Sequence, residues 1–368
     1  MTTVTAAQVR GLRLRRHQLH TRAPAHRLID VVRDIGGVHA QLASSAEIAL
    51  AVRLEGISRE TIRESLHERR TLVKTWMPRG TLHLVATDDV PIFSAVLRQR
   101  WDDPGGAWLR GHGVERRQLQ AIIAAVADTL DGSPVTRDEL ADRVAERAGI
   151  DARTRILSGW GEYLKPSAHR GELCFGPPRG RSVTFVRPDR WLPSWTEVEP
   201  DDARRRVTQR YLRAYGPATP DAFARWLGTT PAQPKRLFAA LDDELAEVTA
   251  GGERAVMLAG DLSELESDPV RTIRLLPAFD PYIVGFRPRS LLVAGRDEAR
   301  IFRPQGWFSP VVMVDGAAVG TWKHELRRTK LAIRIEAFGR LKAATRRGVR
   351  AEADRLGEFL SATPTLEL

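Results

Sequence analysis

Three times along the chain, helical patterns are followed by a short alternating ribbon, and this recurrence limits the possible folds more than any other feature. In the first round, apolar residues recur at helical spacing over residues 6–19, 25–35, 46–54 and 58–69, with Ser45 and Ser58 placed as N-caps. The period then changes to two. Thr71 to Met77 and Thr81 to Val85 alternate as strands around the turn Pro78-Arg79-Gly80. In the second round, helices over 114–130, 137–148 (capped by Thr136) and 152–164 precede Glu172 to Phe175, which pairs with Ser182 to Val186 across Gly176 to Arg181. The third has helices over 202–215, 220–227 and 231–245 before strands around Gly251 to Arg254. Helices followed by a two-stranded ribbon are the outline of a winged helix.

The tail departs from this pattern. Ile273 to Pro277, Ser290 to Val293, Val311 to Val314, Val319 to Trp322 and Leu331 to Phe338 read as strands, with Asp315-Gly316 a hairpin turn and 340–360 a closing helix. Gly, Pro and acidic residues gather near 102–113, 193–200 and 260–268. The expected architecture is therefore α+β: three tandem winged-helix domains over 1–112, 113–197 and 198–264, then a C-terminal β-rich domain over 265–368. A chain of 368 residues is long for a single core, which suits such a division.

Net charge narrows the function. At +11, with a sequence pI near 10.5, the chain suits a polyanionic partner, most often nucleic acid. Arginine carries nearly all of the positive charge, since Lys74, Lys165, Lys235, Lys323, Lys330 and Lys342 are the only lysines. Arginine also suits phosphate forks and base edges. The single cysteine, Cys174, excludes an intrachain disulfide framework and a thiolate metal cluster, and fits a reducing cytosol. No secretory pattern opens the chain, and no apolar run reaches the roughly 18 residues of a membrane span. A cytoplasmic monomer without membrane contact is expected.

The residues that could carry chemistry are few. His39-Ala40-Gln41 lies between Gly36-Gly37 and Ser44-Ser45, hence between two helices. On extended or turning backbone the imidazole and the amide leave on the same side and can converge on one water; the alternative is a hydrogen-bonded interhelical turn. Arg79, Arg179, Arg181 and Arg254 sit at or beside the ribbon tips, where winged helices meet phosphates or the minor groove. Phe279-Asp280-Pro281-Tyr282 leads to Arg287 and Arg289, and Asp280 can either orient a sugar, water or imidazole or cap the turn before Pro281. Trp322-Lys323 ends a strand, where a base could stack or a phosphate bind, although a tryptophan there also suits a core. No P-loop, dinucleotide fingerprint or His-Glu-x-x-His helix is present. His17, His20 and His83 could hold a metal only by tertiary accident, so no metal and no cofactor are expected.

Several stretches together resemble the AlkZ-like (YcaQ-related) bacterial DNA glycosylases: Val38 to Gln41, Trp76 to His83, Gly171 to Gly176 with Thr184 to Val186, Leu275 to Tyr282, and Val314 to Gly316 with Val319 to Trp322. The resemblance runs over nearly the whole chain. It implies tandem winged helices with a β-rich C-terminal part in a C-shaped clamp, and excision of bulky alkylated bases and interstrand crosslinks from double-stranded DNA, in base excision repair or self-resistance to a genotoxic antibiotic. It places the catalytic pair at His39 and Gln41, where the family usually has Gln-x-Gln and its YcaQ-like branch Gln-x-Asp; His-x-Gln looks like a variant of self-resistance enzymes. The candidate DNA-contacting residues are then Arg79, Thr81, His83, Arg179, Arg181, Asp280, Arg287, Arg289, Trp322 and Lys323. With no lysine near the motif, a lyase step through a Schiff base is not expected. The alternative reading is a non-catalytic winged-helix DNA-binding protein, regulatory or architectural.

Overall fold

The computed structural model describes residues 2–102, 104–149, 151–159, 161–265 and 271–368. Its packing divides the chain into two compact units, one formed by residues 1–62 with 208–368 and the other by residues 63–207. These borders differ from the four consecutive parts expected above, because the N-terminal segment packs with the C-terminal half. Residues 266–268 of the expected third boundary, 103 of the first, and 160 within the expected 152–164 helix lie outside the described residues.

In the first unit, the helices Ala6–Arg16, Leu28–Asp34 and Ala43–Ala51 follow one another. Thr5 caps the first through a reciprocal bond with Gln8. Strand Thr2–Val4 runs parallel to Leu245–Ala250, which pairs antiparallel with Glu253–Leu258 across Gly251-Gly252. The C-terminal sheet has five strands in sequence order: Ile273–Leu276, Val311–Val314, Ala317–Arg327, Lys330–Ala337 and Thr363–Glu367. Asp315 and Gly316 both adopt positive φ (50° and 80°), the geometry of a two-residue hairpin turn. Helix Ala343–Phe359 contributes Val349, Ala353 and Leu356 to the same core as Val311, Met313, Trp322 and Ile333.

Several expectations for this unit need correction, among them the helix over 231–245, which spans only Ala232–Ala239. Ser45 does not cap a helix: the helix begins at Ala43 and Ser45 lies buried inside it. Ser290 to Val293 is not a strand, because Pro288 leads into a single 3-10 turn, Arg289–Leu291, and the apolar run is buried as irregular chain. The final strand, Thr363–Glu367, carries Pro364 and was not expected; it pairs only at the sheet edge, where a missing N–H is tolerated.

In the second unit, Leu72–Trp76 and Leu82–Ala86 form the expected antiparallel ribbon, Trp76 opposite Leu82. Helices Arg116–Thr129, Arg137–Ala148 and Asp151–Leu157 follow, the second capped by Thr136 as the sequence suggested, with Glu139 completing a capping box. The expected helix over 152–164 stops at Leu157, and Lys165–His169 forms a separate one. The ribbon Cys174–Phe175 with Thr184–Val186 completes the unit, whose core gathers Trp76, Leu119, Val126, Leu140 and Phe185.

His169 sits in this core with both ring nitrogens engaged: Nδ1 accepts from Trp101 Nε1 at 2.9 Å, and Nε2 lies 3.3 Å from Met77 O. That arrangement suits the neutral tautomer donating from Nε2, and burial pushes the imidazole down to about 3. A histidine neutral in the fold binds fewer protons than in the unfolded chain, so its contribution is complete above pH ~6.5 and is lost as the pH falls toward 3. The thermal midpoint should therefore fall over that window, and His169→Gln should flatten the fall. Calorimetric scans of both proteins between pH 7 and 4 check this.

Candidate active site

The site is built by the termination of one helix. Leu28–Asp34 ends at Gly36 and Gly37, both at positive φ (71° and 101°), with Gly37 N bonded to Val32 O at 2.9 Å. A β-carbon at Gly36 would meet Trp226 Cζ2 at 2.9 Å, so the turn needs glycine for space as well as conformation. Tyr215 Oη donates to Ile35 O at 3.0 Å and pins the helix end from outside. The chain then runs extended through Val38–His39, the condition under which residues 39 and 41 leave on the same side. His39 is buried and Gln41 is exposed immediately before helix Ala43–Ala51.

The imidazole of His39 lies almost flat on the ring of Phe279, with centroids 4.9 Å apart and planes 9° from parallel. This stack fixes the tilt of the imidazole ring. Phe279 itself holds φ +59°, a left-handed conformation that costs an ordinary residue about 1–2 kcal/mol and persists only where neighbours enforce it. The enforcement comes from the next residue. Asp280 is fully buried and receives two bonds from Arg53, at 2.8 and 2.7 Å, while its Oδ1 also accepts from Tyr282 N at 2.9 Å and caps helix Pro281–Gly285. Arg53, equally buried, also donates to Ala49 O at 2.8 Å at the end of the helix that follows Gln41. One ion pair thus anchors both sides of the motif. Behind it, burial together with the charges of Arg53 and Arg13 pushes His17 well below its ordinary range, and its neutral ring packs edge-on to Tyr215 and Tyr282.

Three expected DNA-contacting residues are corrected by the structure: Asp280 and Trp322 in this unit and His83 in the other. Asp280 does not reach DNA, because it is fully buried and its carboxylate is held by Arg53 and by the helix cap. Trp322 is core: it is 1% exposed and donates from Nε1 to Leu276 O at 2.7 Å. Lys323 beside it is exposed and pairs with Glu336 at 2.8 Å. Arg287 bonds its own neighbour's carbonyl, Phe286 O, at 2.7 Å, and burial with the nearby charges of Arg289 and Arg225 lowers it to about 10. Arg289 lies 3.8 Å above Phe302 and pairs with Glu298 at 2.6 Å.

The remaining candidates belong to the second unit. Arg79 is half-buried in the left-handed region (φ 65°) at the first ribbon tip, Thr81 donates from its hydroxyl to Pro78 O at 3.2 Å, and His83 is buried with Nδ1 2.9 Å from Thr81 O. His83 therefore belongs to the ribbon's interior rather than to its surface. Arg179 is exposed but braced by Glu139 and Pro134 O at 2.7 and 2.6 Å, whereas Arg181, two residues on, is exposed at the turn. Among the described residues no group of three or more His, Cys, Asp or Glu side chains could hold a metal, and no helix is long and apolar enough to cross a membrane. Sequence reasoning did not assign roles to Phe279 beneath His39, to Arg53, or to Trp307, which meets Phe279 at 4.9 Å. The signal was present for Phe279 alone, inside the stretch Leu275 to Tyr282.

The family described as "DNA glycosylase AlkZ-like" matches residues 32–359. A Streptomyces sahachiroi protein named "Interstrand DNA cross-link repair glycosylase" is 38% identical over 304 residues, covering 80% of this chain and 81% of the relative. The solved structure of the Streptomyces sahachiroi DNA glycosylase AlkZ superimposes with a TM-score of 0.87 at 33% identity, covering 99% of this chain and 100% of that one. The chain belongs to the AlkZ-like DNA glycosylases, which favours the catalytic reading over a purely regulatory or architectural one.

Loss of one partner of the buried pair strands the other's charge, at a cost of about 3–5 kcal/mol. Asp280→Asn should lower the thermal midpoint by several degrees and slow base release. An Arg53→Met, Asp280→Leu double variant should recover stability relative to either single change. Thermal melts of the four proteins check the cycle.

Proposed function

We propose that this glycosylase hydrolyses the N-glycosidic bond of bulky N7-alkylguanine-type purines in duplex DNA, interstrand crosslinks included, with His39 and Gln41 as its catalytic pair. The observation that carries this reading is the stacked, buried His39 two residues before the exposed Gln41, in a chain of a DNA glycosylase family. The name of the Streptomyces sahachiroi relative supports crosslinks as substrates.

The lesion dictates what the protein must supply. Alkylation at N7 leaves guanine cationic, so the base departs with its bonding pair and needs little acid assistance. What remains is to hold a water beneath an oxocarbenium-like sugar and to accept its proton as it adds to C1′. Gln41 orients the water through its amide oxygen, and His39 takes the proton. Sugar-cleaving enzymes commonly use a carboxylate here, but Asp280, which follows the ring beneath His39, is held by Arg53. With no carboxylate in the motif, reaction is confined to bases already activated by alkylation. With no lysine in the motif, the product is an abasic site in an uncut strand.

The three helix-and-ribbon rounds are read as winged-helix modules of an open clamp, working as a monomer in the cytoplasm. Arg79, Thr81, Arg179 and Arg181 of one unit and Arg287, Arg289 and Lys323 of the other are the candidates for the DNA backbone. An open surface admits an adduct too large for a snug flipped-base pocket. Whether the context is general base excision repair or protection from a genotoxic antibiotic, the chemistry is the same.

The test is incubation with a duplex carrying one N7-alkylguanine, followed by hot alkali. Wild type should give a strand break at the lesion, and a His39→Ala, Gln41→Ala variant should slow its appearance by about 10²-fold or more. Equal cleavage by both proteins rejects the assignment.

A further inference from the structure

The candidate site exposes more apolar surface than His39 and Gln41 need for hydrolysis. Five large hydrophobic side chains are exposed among the described residues, and two of them flank this motif. Leu42, 36% exposed, directly follows Gln41. Trp307, 46% exposed, meets the Phe279 ring beneath His39 in a T-shaped contact with planes 74° apart. That contact uses part of the indole and leaves the rest open to solvent.

The turn that carries Trp307 does not depend on the tryptophan for its shape. Arg303 N donates to Trp307 O at 2.8 Å, Ser309 N donates to Ile301 O at 2.9 Å, and the Phe302 and Phe308 rings pack 5.7 Å apart at its base. Gln305 and Gly306 take positive φ (59° and 75°), which closes the turn tightly. Phe308 also lies 5.8 Å from Phe279, so the turn is anchored to the same ring that supports the imidazole. A rigid turn therefore presents a flat, polarisable surface one ring away from His39. The open part of the indole is a flat aromatic face beside the ring that supports His39.

We propose that Trp307, with Leu42 as an apolar neighbour of the motif, is the stacking site for a nucleobase displaced from the duplex at or beside the lesion. Aromatic side chains hold unstacked bases this way because every base offers a π-face, and apolar side chains commonly fill the space that a displaced base leaves. Trp307 acts as a positioning residue: it does not touch the bond that breaks, but holds the nucleotide so that C1′ faces the water at His39 and Gln41. This inference rests on the catalytic reading above. It also predicts lesion selectivity, since only a weakened or distorted step yields a base cheaply.

The experiment compares wild type, Trp307→Ala and Trp307→Phe for binding to duplexes with and without one N7-alkylguanine, alongside tryptophan fluorescence and single-turnover base release. Trp307→Ala should bind the lesion duplex about 10-fold or more weakly. Its affinity for undamaged duplex should stay within about two-fold, and its thermal midpoint should not move, as expected for an exposed side chain. Trp307→Phe should recover most of the lesion affinity, and the fluorescence quenching that wild type shows on the lesion duplex should shrink in it. Equal weakening on both duplexes, or none on either, overturns the proposal. If wild type releases no base, the catalytic reading fails separately, while lesion-selective binding and quenching still decide the role of Trp307.

Discussion

The ion pair between Arg53 and Asp280 is the constraint on which the candidate site depends. Its partners are 227 residues apart in sequence and both are fully buried, so neither charge can be left alone without a large penalty. Arg53 stands just past the helix that follows Gln41, and Asp280 stands just after Phe279, on which His39 lies. The pair therefore sets the distance between the segment that carries the motif and the ring that supports it. It also fixes the left-handed backbone at Phe279, which has no local reason to persist. Specific geometry is bought here by a pair that burial alone would not favour.

The same pair shapes the chemistry by removing a carboxylate from play. Asp280 lies next to the ring beneath the imidazole, and in an open site it would be the natural stabiliser of a sugar cation. Locked to Arg53, it leaves a neutral amide and an imidazole, which suit a leaving group that has already been made cationic. The selectivity proposed for alkylated purines follows from what the site lacks as much as from what it holds. An enzyme of this kind has reason to be weak on intact bases, since hydrolysing those would damage the genome it serves.

Much of the fold was legible in the sequence where local physics decides it. The Thr136 and Ser58 caps, the Asp315-Gly316 turn, the ribbon around Pro78-Arg79-Gly80 and the cap that Asp280 makes before Pro281 each follow from a few neighbouring residues. Errors came where two structures share one local pattern. Leu291, Leu292 and Val293 form an apolar run that suits a strand or a buried turn equally, and packing chose the turn. The discontinuous unit was hidden because nothing in residues 2–4 announces a parallel partner at 248–250. For the site, the motif itself was readable, but its supports were not. Neither the His39–Phe279 stack nor the Arg53 bond to Asp280 has any signature in local spacing, and for Trp322 the sequence offered a stacking role and a core role, of which packing chose the core.

The most direct measurement is a single-turnover time course that follows the free alkylated base by mass spectrometry, with excess enzyme on a duplex carrying one N7-alkylguanine. The account predicts that wild type releases the intact base and leaves an uncut abasic strand. His39→Ala and Gln41→Ala should each be slower by about 10²-fold while still binding the lesion duplex. Release at the wild-type rate by both single variants, or strand scission without alkali, would contradict it.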